Sequence, residues 1–349
     1  MKKFILFFIS VLLFADTKIF IYPKNVAFIK QDKNIALEDG VGYIENIPRN
    51  IILDSIYFDK NVNSFYFKNG RLYIKTEKSD FLKTKISYLT KGISYKISYV
   101  GKLDKKLQLI GYCQISNNSK IFYNNADISF IAGEFNINFK LPIYIYKRAK
   151  ALTYENMPNR IEGYYRYDFP FKIDLEPNSI RINKFLNKKV DYKKIYSLEV
   201  FDSLSRFGQK VFKFDQIISF NTPLSLPAGV IRFYKDTFLG ENFIKNSPKN
   251  SYLNLKIGKD FDISLKRVQK EYNKTKKFVY TKIKFIIKNP KDKDINLQIK
   301  DFFPNSNAKI RADIKYKKLD ANTIIYNVKV PKKSKIEFTA SYKVLQQNI

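Results

Sequence analysis

The fold class is decided by residues 88–133, YLTKGISYKISYVGKLDKKLQLIGYCQISNNSKIFYNNADISFIAG. Apolar and polar residues alternate in three runs, at 93–99, 107–115 and 128–131, as they do in strands that bury one face. Gly101-Lys102 and Asn117-Asn118-Ser119 lie between the runs, and these residue types favour turns. The segment therefore predicts three consecutive strands in a meander.

The same two-residue period extends to both sides of this segment. Short strand-like runs fill residues 19–75, and a polar link follows at 77–83. From residue 252 onward, seven runs recur about every 8–12 residues, which is typical of an immunoglobulin-like sandwich. The tightest turn among them is at residues 289–292. We find no helical period of ten residues or more, and no internal repeat beyond the recurrence of strands.

The pattern predicts an all-β chain of tandem β-sandwich domains. Residues 16–82 form a small N-terminal β domain, and residues 83–250 a central β domain with a connector loop at 147–160, where the alternation is lost. Residues 251–349 form the immunoglobulin-like β-sandwich.

The chain is strongly basic, with 64 Lys and Arg against 32 Asp and Glu, for a net charge of +32. Such an excess suggests a polyanionic partner: nucleic acid, an anionic membrane surface or an acidic polysaccharide. The excess is mostly Lys, however, in a chain rich in Ile, Asn, Phe and Tyr, which share A/T-rich codons. Biased base composition is the simpler explanation, and exposed Lys also protects strand edges.

The N-terminus resembles a secretory signal. Met1-Lys2-Lys3 is followed by an apolar run at residues 4–15. This run is shorter than the ~20 residues of a spanning helix, so we predict a signal peptide at residues 1–15, cleaved after Ala15. An uncleaved N-terminal anchor is the alternative. No later segment is apolar enough for a transmembrane span, so the mature protein is expected in the periplasm, at the cell surface or secreted.

Several kinds of chemistry are excluded by composition. The chain has no His and a single Cys, which rules out Ser-His-Asp and Cys-His catalysis and imidazole or thiolate metal sites. Glycine-rich phosphate loops are missing as well. Cys113 lies inside a predicted strand, where a buried, unreactive thiol is expected. The sequence predicts no cofactor and no metal.

Carboxylates are the remaining catalytic candidates. Asp260 and Asp262 lie two apart on a predicted strand, so they share a face and could hold a cation or flank a sugar bond. Two solvated residues beside lysines are the simpler interpretation. Asp292 and Asp294 belong to a predicted turn, and Asp301 is a strand-end residue for which the sequence indicates no partner.

Tyrosines interleaved with basic residues form the candidate binding surface. Such a surface can stack on sugar rings or bases while Lys and Arg contact phosphate or uronate groups. Alternating Tyr is also ordinary strand material. The candidate polymer-binding residues flank the connector loop and are Lys147, Arg148, Tyr164, Tyr165, Arg166 and Tyr167.

A family resemblance spans nearly the whole mature chain. Residues 92–95, Tyr99, Gly111, 117–119, Tyr123, 125–126 and 132–133 carry its first part. Residues 226–230, Tyr234, 239–240 and 255–258 carry the second, and residues 21–27 and 37–55 carry the N-terminal part. In this order they resemble the mucoidy inhibitor A-like family, which combines a small N-terminal domain with a larger domain of unknown function.

The chain departs from this family in two ways. Tyr95 stands where the family commonly has Trp, and the long helical coiled coil that often separates the two domains is missing. The resemblance implies no particular reaction.

Together these features predict an exported, non-catalytic β-sandwich protein that acts through protein or polymer contacts at the cell envelope. Its partner would be an unknown envelope protein or an anionic polysaccharide, and not nucleic acid. One alternative is a binding module for acidic envelope polysaccharide. A second is a carboxylate-dependent glycosidase, which needs facing acids in a cleft.

Overall fold

The computed structural model describes residues 16–60, 62–77, 79–133, 135, 159–161, 163–303 and 308–345. The all-β prediction is confirmed, because about 69% of the described residues are in strands and 1% in helix. No helix among the described residues is long and apolar enough to cross a membrane. The predicted signal peptide and most of the predicted connector loop lie outside the described residues.

The described residues form 25 strands. They are β1 (Thr17–Tyr22), β2 (Val26–Ala36), β3 (Val41–Ile44), β4 (Tyr57–Phe58), β5 (Ser64–Lys68), β6 (Arg71–Lys75), β7 (Phe81–Lys91), β8 (Ile93–Leu103), β9 (Leu107–Asn117), β10 (Tyr123–Ala132), β11 (Asn159–Ile161), β12 (Tyr164–Asp168) and β13 (Ile173–Leu175). They continue with β14 (Ser179–Val190), β15 (Tyr192–Val200), β16 (Gln209–Asn221), β17 (Gly229–Tyr234), β18 (Phe238–Ile244), β19 (Tyr252–Lys274), β20 (Phe278–Asn289), β21 (Ile295–Phe302), β22 (Lys309–Ala312), β23 (Tyr316–Lys318), β24 (Thr323–Val330) and β25 (Ser334–Leu345). A 3-10 turn spans Leu53–Ser55.

The described strands form four sheets. An eight-stranded sheet has the order β11-β12-β10-β1-β2-β7-β4, with β13 also paired to β10, and a five-stranded sheet has the order β14-β9-β8-β17-β18. A nine-stranded, nearly closed sheet has the order β22-β25-β20-β19-β16-β15-β21-β24-β23. The remaining sheet is β3-β6-β5.

Two hydrophobic cores organise these sheets. The eight- and five-stranded sheets share the first core, in which the ring of Phe130 lies 5.2 Å from Tyr95 and 5.3 Å from Phe185. The curled nine-stranded sheet encloses the second, where Phe285 stacks on Phe338 at 4.6 Å. Burial of these side chains is the main stabilising contribution, at about 25 cal/mol per Å² of apolar surface.

The predicted meander is half correct. Strands β8 and β9 form an antiparallel hairpin, but β10 crosses to the other sheet and pairs with β1 and β12. Residues 128–132 of β10 are buried on both faces, so this strand needs a central place in a covered sheet. The predicted turn at Gly101 is also wrong: Gly101 lies inside β8 against the ring of Phe233, and the chain turns at residues 104–106.

The strand ladders repeat within the chain. In the first unit, β1 pairs in parallel with β10 and antiparallel with β2, which pairs with β7. In the second unit, β15 pairs in parallel with β21 and antiparallel with β16, which pairs with β19. The 23-residue strand β19 corresponds to β7 and β8 together. Strand β20 corresponds to β9, β21 to β10, β24 to β12 and β13, and β25 to β14.

The same buried corner connects the strands in both units. Asn117 ends β9, and its Nδ2 donates to the carbonyl oxygens of Ile121 (2.8 Å), Leu175 (3.2 Å) and Glu176 (2.9 Å). Its Oδ1 accepts from the Ser119 amide at 3.0 Å. One side chain thus replaces the backbone partners that two neighbouring turns lack.

Asn289 ends β20 and repeats this arrangement. Its Nδ2 donates to the carbonyl oxygens of Lys293 (2.9 Å), Val330 (3.2 Å) and Pro331 (2.8 Å), and its Oδ1 accepts from the Lys291 amide at 3.1 Å. Both asparagines are fully buried, with 0% and 1% exposure.

The backbone around the two corners matches as well. The Asn178 amide donates to Ser119 O in the first unit, and the Lys333 amide donates to Lys291 O in the second. Asn178 and Lys333 both have a left-handed φ, of 51° and 47°. The chain therefore contains an internal structural repeat, β1–β14 and β15–β25, and the expectation of no internal repeat is wrong.

Each unit carries an insertion at the same place, between its second strand and the next strand of the repeat. In the first unit it is β3–β6, and in the second it is the hairpin β17–β18. The hairpin leaves its own unit: β17 pairs in parallel with β8, from Val230 opposite Ser98 to Tyr234 opposite Lys102. A strand of the second unit thus completes a sheet of the first.

These ladders cross both predicted domain boundaries. The 82/83 boundary and the end of the predicted polar link fall inside β7, and the 250/251 boundary is crossed by the ladder between β16 and β19. The immunoglobulin-like sandwich predicted for residues 251–349 is not confirmed, because these strands join β15 and β16 in one curled sheet. The division into domains stays a prediction.

Asn117→Ala and Asn289→Ala should each lower the free energy of unfolding by about 3 kcal/mol, because each leaves several buried carbonyl groups without a donor. Urea denaturation measures the effect. Asn187→Ala, which removes only an exposed hydrogen bond to Gln108, is the matched control and should cost less than about 1 kcal/mol. Equal effects for all three variants would contradict the structural role of the corners.

Candidate functional site

The predicted tyrosine cluster lies on β12, between β11 and β10 in the eight-stranded sheet. Alternation along the strand places Tyr165 and Tyr167 on the core side, and Tyr164 and Arg166 on the opposite face. Lys147 and Arg148, the other two predicted binding residues, lie outside the described residues.

Tyr167 packs mainly in the core and also lines the smaller of the two hollows described below, so its binding role stays a prediction. It is only 7% exposed, and its ring stacks on Phe130 with the centroids 4.6 Å apart and the planes nearly parallel. Its hydroxyl donates to the carbonyl of Ser225 at 2.7 Å. Burial raises the pKa of the Tyr167 hydroxyl, which stays protonated as this hydrogen bond requires.

Arg166 is not a free cation. Its Nε lies 2.9 Å from Oδ1 of Asp168, the neighbour on the same face of β12. The same carboxylate oxygen accepts a hydrogen bond from Ser129 at 2.6 Å. The guanidinium charge is thus largely compensated before any ligand arrives, which argues against a role as an anion-binding group.

Tyr164 belongs to an aromatic cluster at the end of the sheet. Its ring stacks on Phe135 at 3.9 Å, and Tyr22 packs edge-on against Phe135 at 5.0 Å. A glycine is required beside it: a Cβ on Gly133, which has φ +144°, would lie 2.6 Å from the Tyr164 ring. Lys24 donates to the Phe135 carbonyl at 3.4 Å, next to these rings.

Two hollows meet beside this cluster, and together we call them the Gly133 groove. They share Gly133 and Asn246 and have volumes of about 370 and 270 Å³. Tyr95, Lys96 and Gly229 line the larger hollow, and half-buried Tyr165 lines the smaller. Among the described lining residues the only charged groups are lysines, so the groove suits neutral or anionic ligands and lacks an acid–base pair.

The groove lies where the two units join. Gly229 opens β17, and a Cβ there would lie 2.6 Å from the Ile97 carbonyl oxygen of β8. Asn246 Oδ1 accepts from the Ala228 amide at 2.8 Å, and Tyr99 donates to the Pro227 carbonyl at 2.7 Å. Residues 226–230 therefore fasten the hairpin of the second unit to the first.

Several of the residues that carry the family resemblance line the groove at this junction. Tyr95, Gly133 and residues 228–230 line the larger hollow, and Ala132 and Leu226 line the smaller. No protein-family model matches this chain, and the search of curated proteins found no match. The resemblance therefore stays a proposal.

The carboxylates singled out in the sequence accept hydrogen bonds from backbone amides and form ion pairs with lysines. Asp260 Oδ1 accepts from the Asp262 and Ile263 amides at 3.0 Å, and Lys291 bridges the carboxylates of Asp260 and Asp262 at 3.1 Å each. Partial burial opposes ionisation of Asp260, but the hydrogen bonds from Ile263 and Lys291 outweigh it and lower its pKa. Asp294 caps the Lys332 amide and pairs with Lys329.

A buried ionic cluster inside the nine-stranded sheet was not predicted. Arg267 has no exposed surface; its guanidinium pairs with Asp202 and donates to Ser203 at 2.7 Å, and Ser203 donates to Asp301 at 2.7 Å. The guanidinium lies over the ring of Phe207, 4.9 Å from its centroid. The sequence signal for this cluster was weak, because Asp202, Asp301 and Arg267 lie on three distant segments.

Metal-binding groups and a reactive thiol are not found in the described part of the chain. It contains no cluster of three or more His, Cys, Asp or Glu that could hold a metal. Cys113 is buried in β9 as predicted, and burial raises the pKa of its thiol.

Gly229→Ala should lower the free energy of unfolding by about 1–3 kcal/mol, since the methyl group would push β17 away from β8. Gly208→Ala is the matched control, because a Cβ there would have no atom within 4 Å. Thermal unfolding of both variants measures the difference. A Gly229→Ala protein as stable as the Gly208→Ala protein would show that the junction does not need this close approach.

Asp301→Asn should change how stability depends on pH. Complete burial raises the pKa of Asp301 from 3.8 to about 6, against the opposing effects of Arg267 and Ser203. The folded chain then holds a proton that the unfolded chain releases, so the stability contributed by Asp301 falls as pH rises from about 4 to about 6. The variant's free energy of unfolding, relative to the unmodified chain, should therefore rise by up to about 3 kcal/mol across this window.

Urea denaturation at several pH values measures this change. Asp294→Asn is the contrasting control: hydrogen bonds from Lys332 and Lys329 lower the pKa of Asp294, so removing that carboxylate must give a pH dependence of the opposite sign. A flat difference curve for Asp301→Asn would rule out a raised pKa for Asp301.

Proposed function

We propose that this chain is an exported, non-catalytic all-β protein that acts through protein or polymer contacts at the cell envelope, in the periplasm or at the cell surface. One observation carries the polymer contacts, whether the lysines arose from base composition or from selection. Lys and Arg number 64 against 32 Asp and Glu, which leaves a net charge of +32. Folded sheets that display such a surplus attract polyanions and anionic surfaces.

A non-catalytic role is supported by the positions of the acids. Asp202 and Asp301 belong to the buried cluster of Arg267, and Asp260 and Asp262 are bridged by Lys291. A glycosidase needs two carboxyl groups that face a sugar across a cleft, whereas these acids hold backbone amides and cations. Export is supported by the basic start and short apolar run of residues 1–15.

The family assignment is part of this proposal. The chain resembles the mucoidy inhibitor A-like family, and the resembling residues meet around the Gly133 groove, where they fasten one unit to the other. We also propose that the two cores correspond to two sandwich-like folding units in tandem.

A binding module for acidic envelope polysaccharide is the second candidate function. Lysines are the only charged residues among the described groups that line the Gly133 groove, and Lys96 lies there beside Tyr95. This arrangement favours an anionic polymer with flat rings over a cationic or purely apolar ligand.

Fractionation of cells that produce the full chain with a C-terminal tag tests export. We expect the protein in the periplasmic or surface fraction, because residues 1–15 direct it there. The double variant Lys2→Glu/Lys3→Glu, which removes the basic start of the signal, is the control and should accumulate in the cytosol. Recovery of the unmodified full-length protein in the cytosol would end this proposal.

A further inference from the structure

A larger hollow lies outside the second core, on the solvent side of the nine-stranded sheet. Its volume is about 790 Å³, and it lies across β15, β21 and β24 and the start of β19. We call its outward polar lining the amide–lysine face, which consists of Lys193, Tyr252, Asn296, Gln298, Asn327 and Lys329. This surface was not among the sites predicted from the sequence.

Amide side chains form the middle of the face. Gln298 of β21 lies directly opposite Asn327 of β24, and its Nε2 donates to Asn327 Oδ1 at 3.2 Å. This bond fixes both side chains and leaves the Gln298 carbonyl oxygen as an acceptor and the Asn327 amide group as a donor. A neighbouring acceptor and donor on a rigid sheet match two adjacent hydroxyl groups of a sugar.

Cations border the amides. Lys193 forms no ion pair with any described residue, and Lys329 pairs with Asp294 at 3.2 Å, with side-chain exposures of 69% and 48%. None of the described lining residues is a carboxylate. Lys194 points to the opposite face of β15, where its ammonium lies over the ring of Tyr196, 5.5 Å from the centroid. An anion in the hollow would therefore meet Lys193 and Lys329.

Tyr252 supplies an aromatic surface at the side of the hollow. It opens β19 and is 55% exposed although it is a large hydrophobic residue. A single exposed ring beside hydroxyl-binding amides suits one sugar ring. Single-stranded nucleic acid is usually held by several rings that stack on successive bases, and the described lining contains only one.

We propose that the amide–lysine face binds an acidic polysaccharide, with Lys193 and Lys329 on uronate carboxylates, Gln298 and Asn327 on sugar hydroxyls, and Tyr252 against a sugar ring. This inference rests on the proposed function. It names the class of polymer, an acidic polysaccharide, and the surface that binds it. It places polysaccharide binding on the second unit, instead of the Gly133 groove at the junction or β12 of the first unit.

Titration of the full mature chain with an oligogalacturonate of defined length tests the proposal. Lys193→Gln/Lys329→Gln should weaken binding about tenfold or more, since each charge-assisted contact contributes on the order of one decade in affinity. Lys188→Gln/Lys189→Gln, two exposed neighbouring lysines of β14, removes the same charge elsewhere and should change affinity by less than about twofold. Asn327→Ala should weaken oligogalacturonate binding without changing the net charge.

A neutral maltooligosaccharide and a single-stranded DNA oligonucleotide of similar length complete the experiment. The proposal expects weak binding of both, and urea midpoints of the variants close to those of the unmodified protein. Equal losses for the two lysine pairs, no effect of Asn327→Ala, or DNA binding as tight as oligogalacturonate binding would each overturn the site. Absence of any oligogalacturonate binding would also overturn it, while export, read by fractionation, would stand independently.

Discussion

The structure depends on one constraint that occurs twice: a buried asparagine ends β9 in the first unit and β20 in the second. Where the chain leaves one part of the sheet for another, two turns come together and their carbonyl groups lose water. Asn117 and Asn289 supply the missing donors, each to three carbonyl oxygens. Because an unsatisfied buried carbonyl costs about as much as a lost hydrogen bond, these side chains fix where β10 and β21 start and which parallel partners they reach.

The repeat also places two different surfaces on equivalent strands. The strands β1, β10 and β12, which carry the predicted tyrosine site, are the counterparts of β15, β21 and β24, which carry the amide–lysine face. On the first set the charges of Lys18 and Arg166 are compensated by Asp16 and Asp168. On the second set Lys193 has no such partner among the described residues. The same scaffold therefore presents a neutralised face in one unit and a basic, amide-rich face in the other, with the hairpin β17–β18 joining the two.

Much of the fold could be predicted because strand periodicity is a local property. Alternation located β8 and β9 and the turn at residues 117–119, and its persistence along the chain predicted the all-β class. The repeat could not be seen, since Asn117-Asn118-Ser119 and Asn289-Pro290-Lys291 share only the asparagine, and the corner is defined by backbone contacts. Tyr167 was placed on the surface because alternation does not say which face of a strand is covered. The amide–lysine face was missed because its residues come from four strands and meet only in the folded sheet.

Hydrogen–deuterium exchange on the intact chain, read at single amides, tests the central claim most directly. Ser119 and Lys291 lie in turns, where amides normally exchange quickly, yet each donates to the side-chain oxygen of a buried asparagine. The account predicts that both amides, and those of Asn178 and Lys333 that close the corners, are protected as strongly as the neighbouring strands. Exchange at the rate of an open turn at either corner would contradict it.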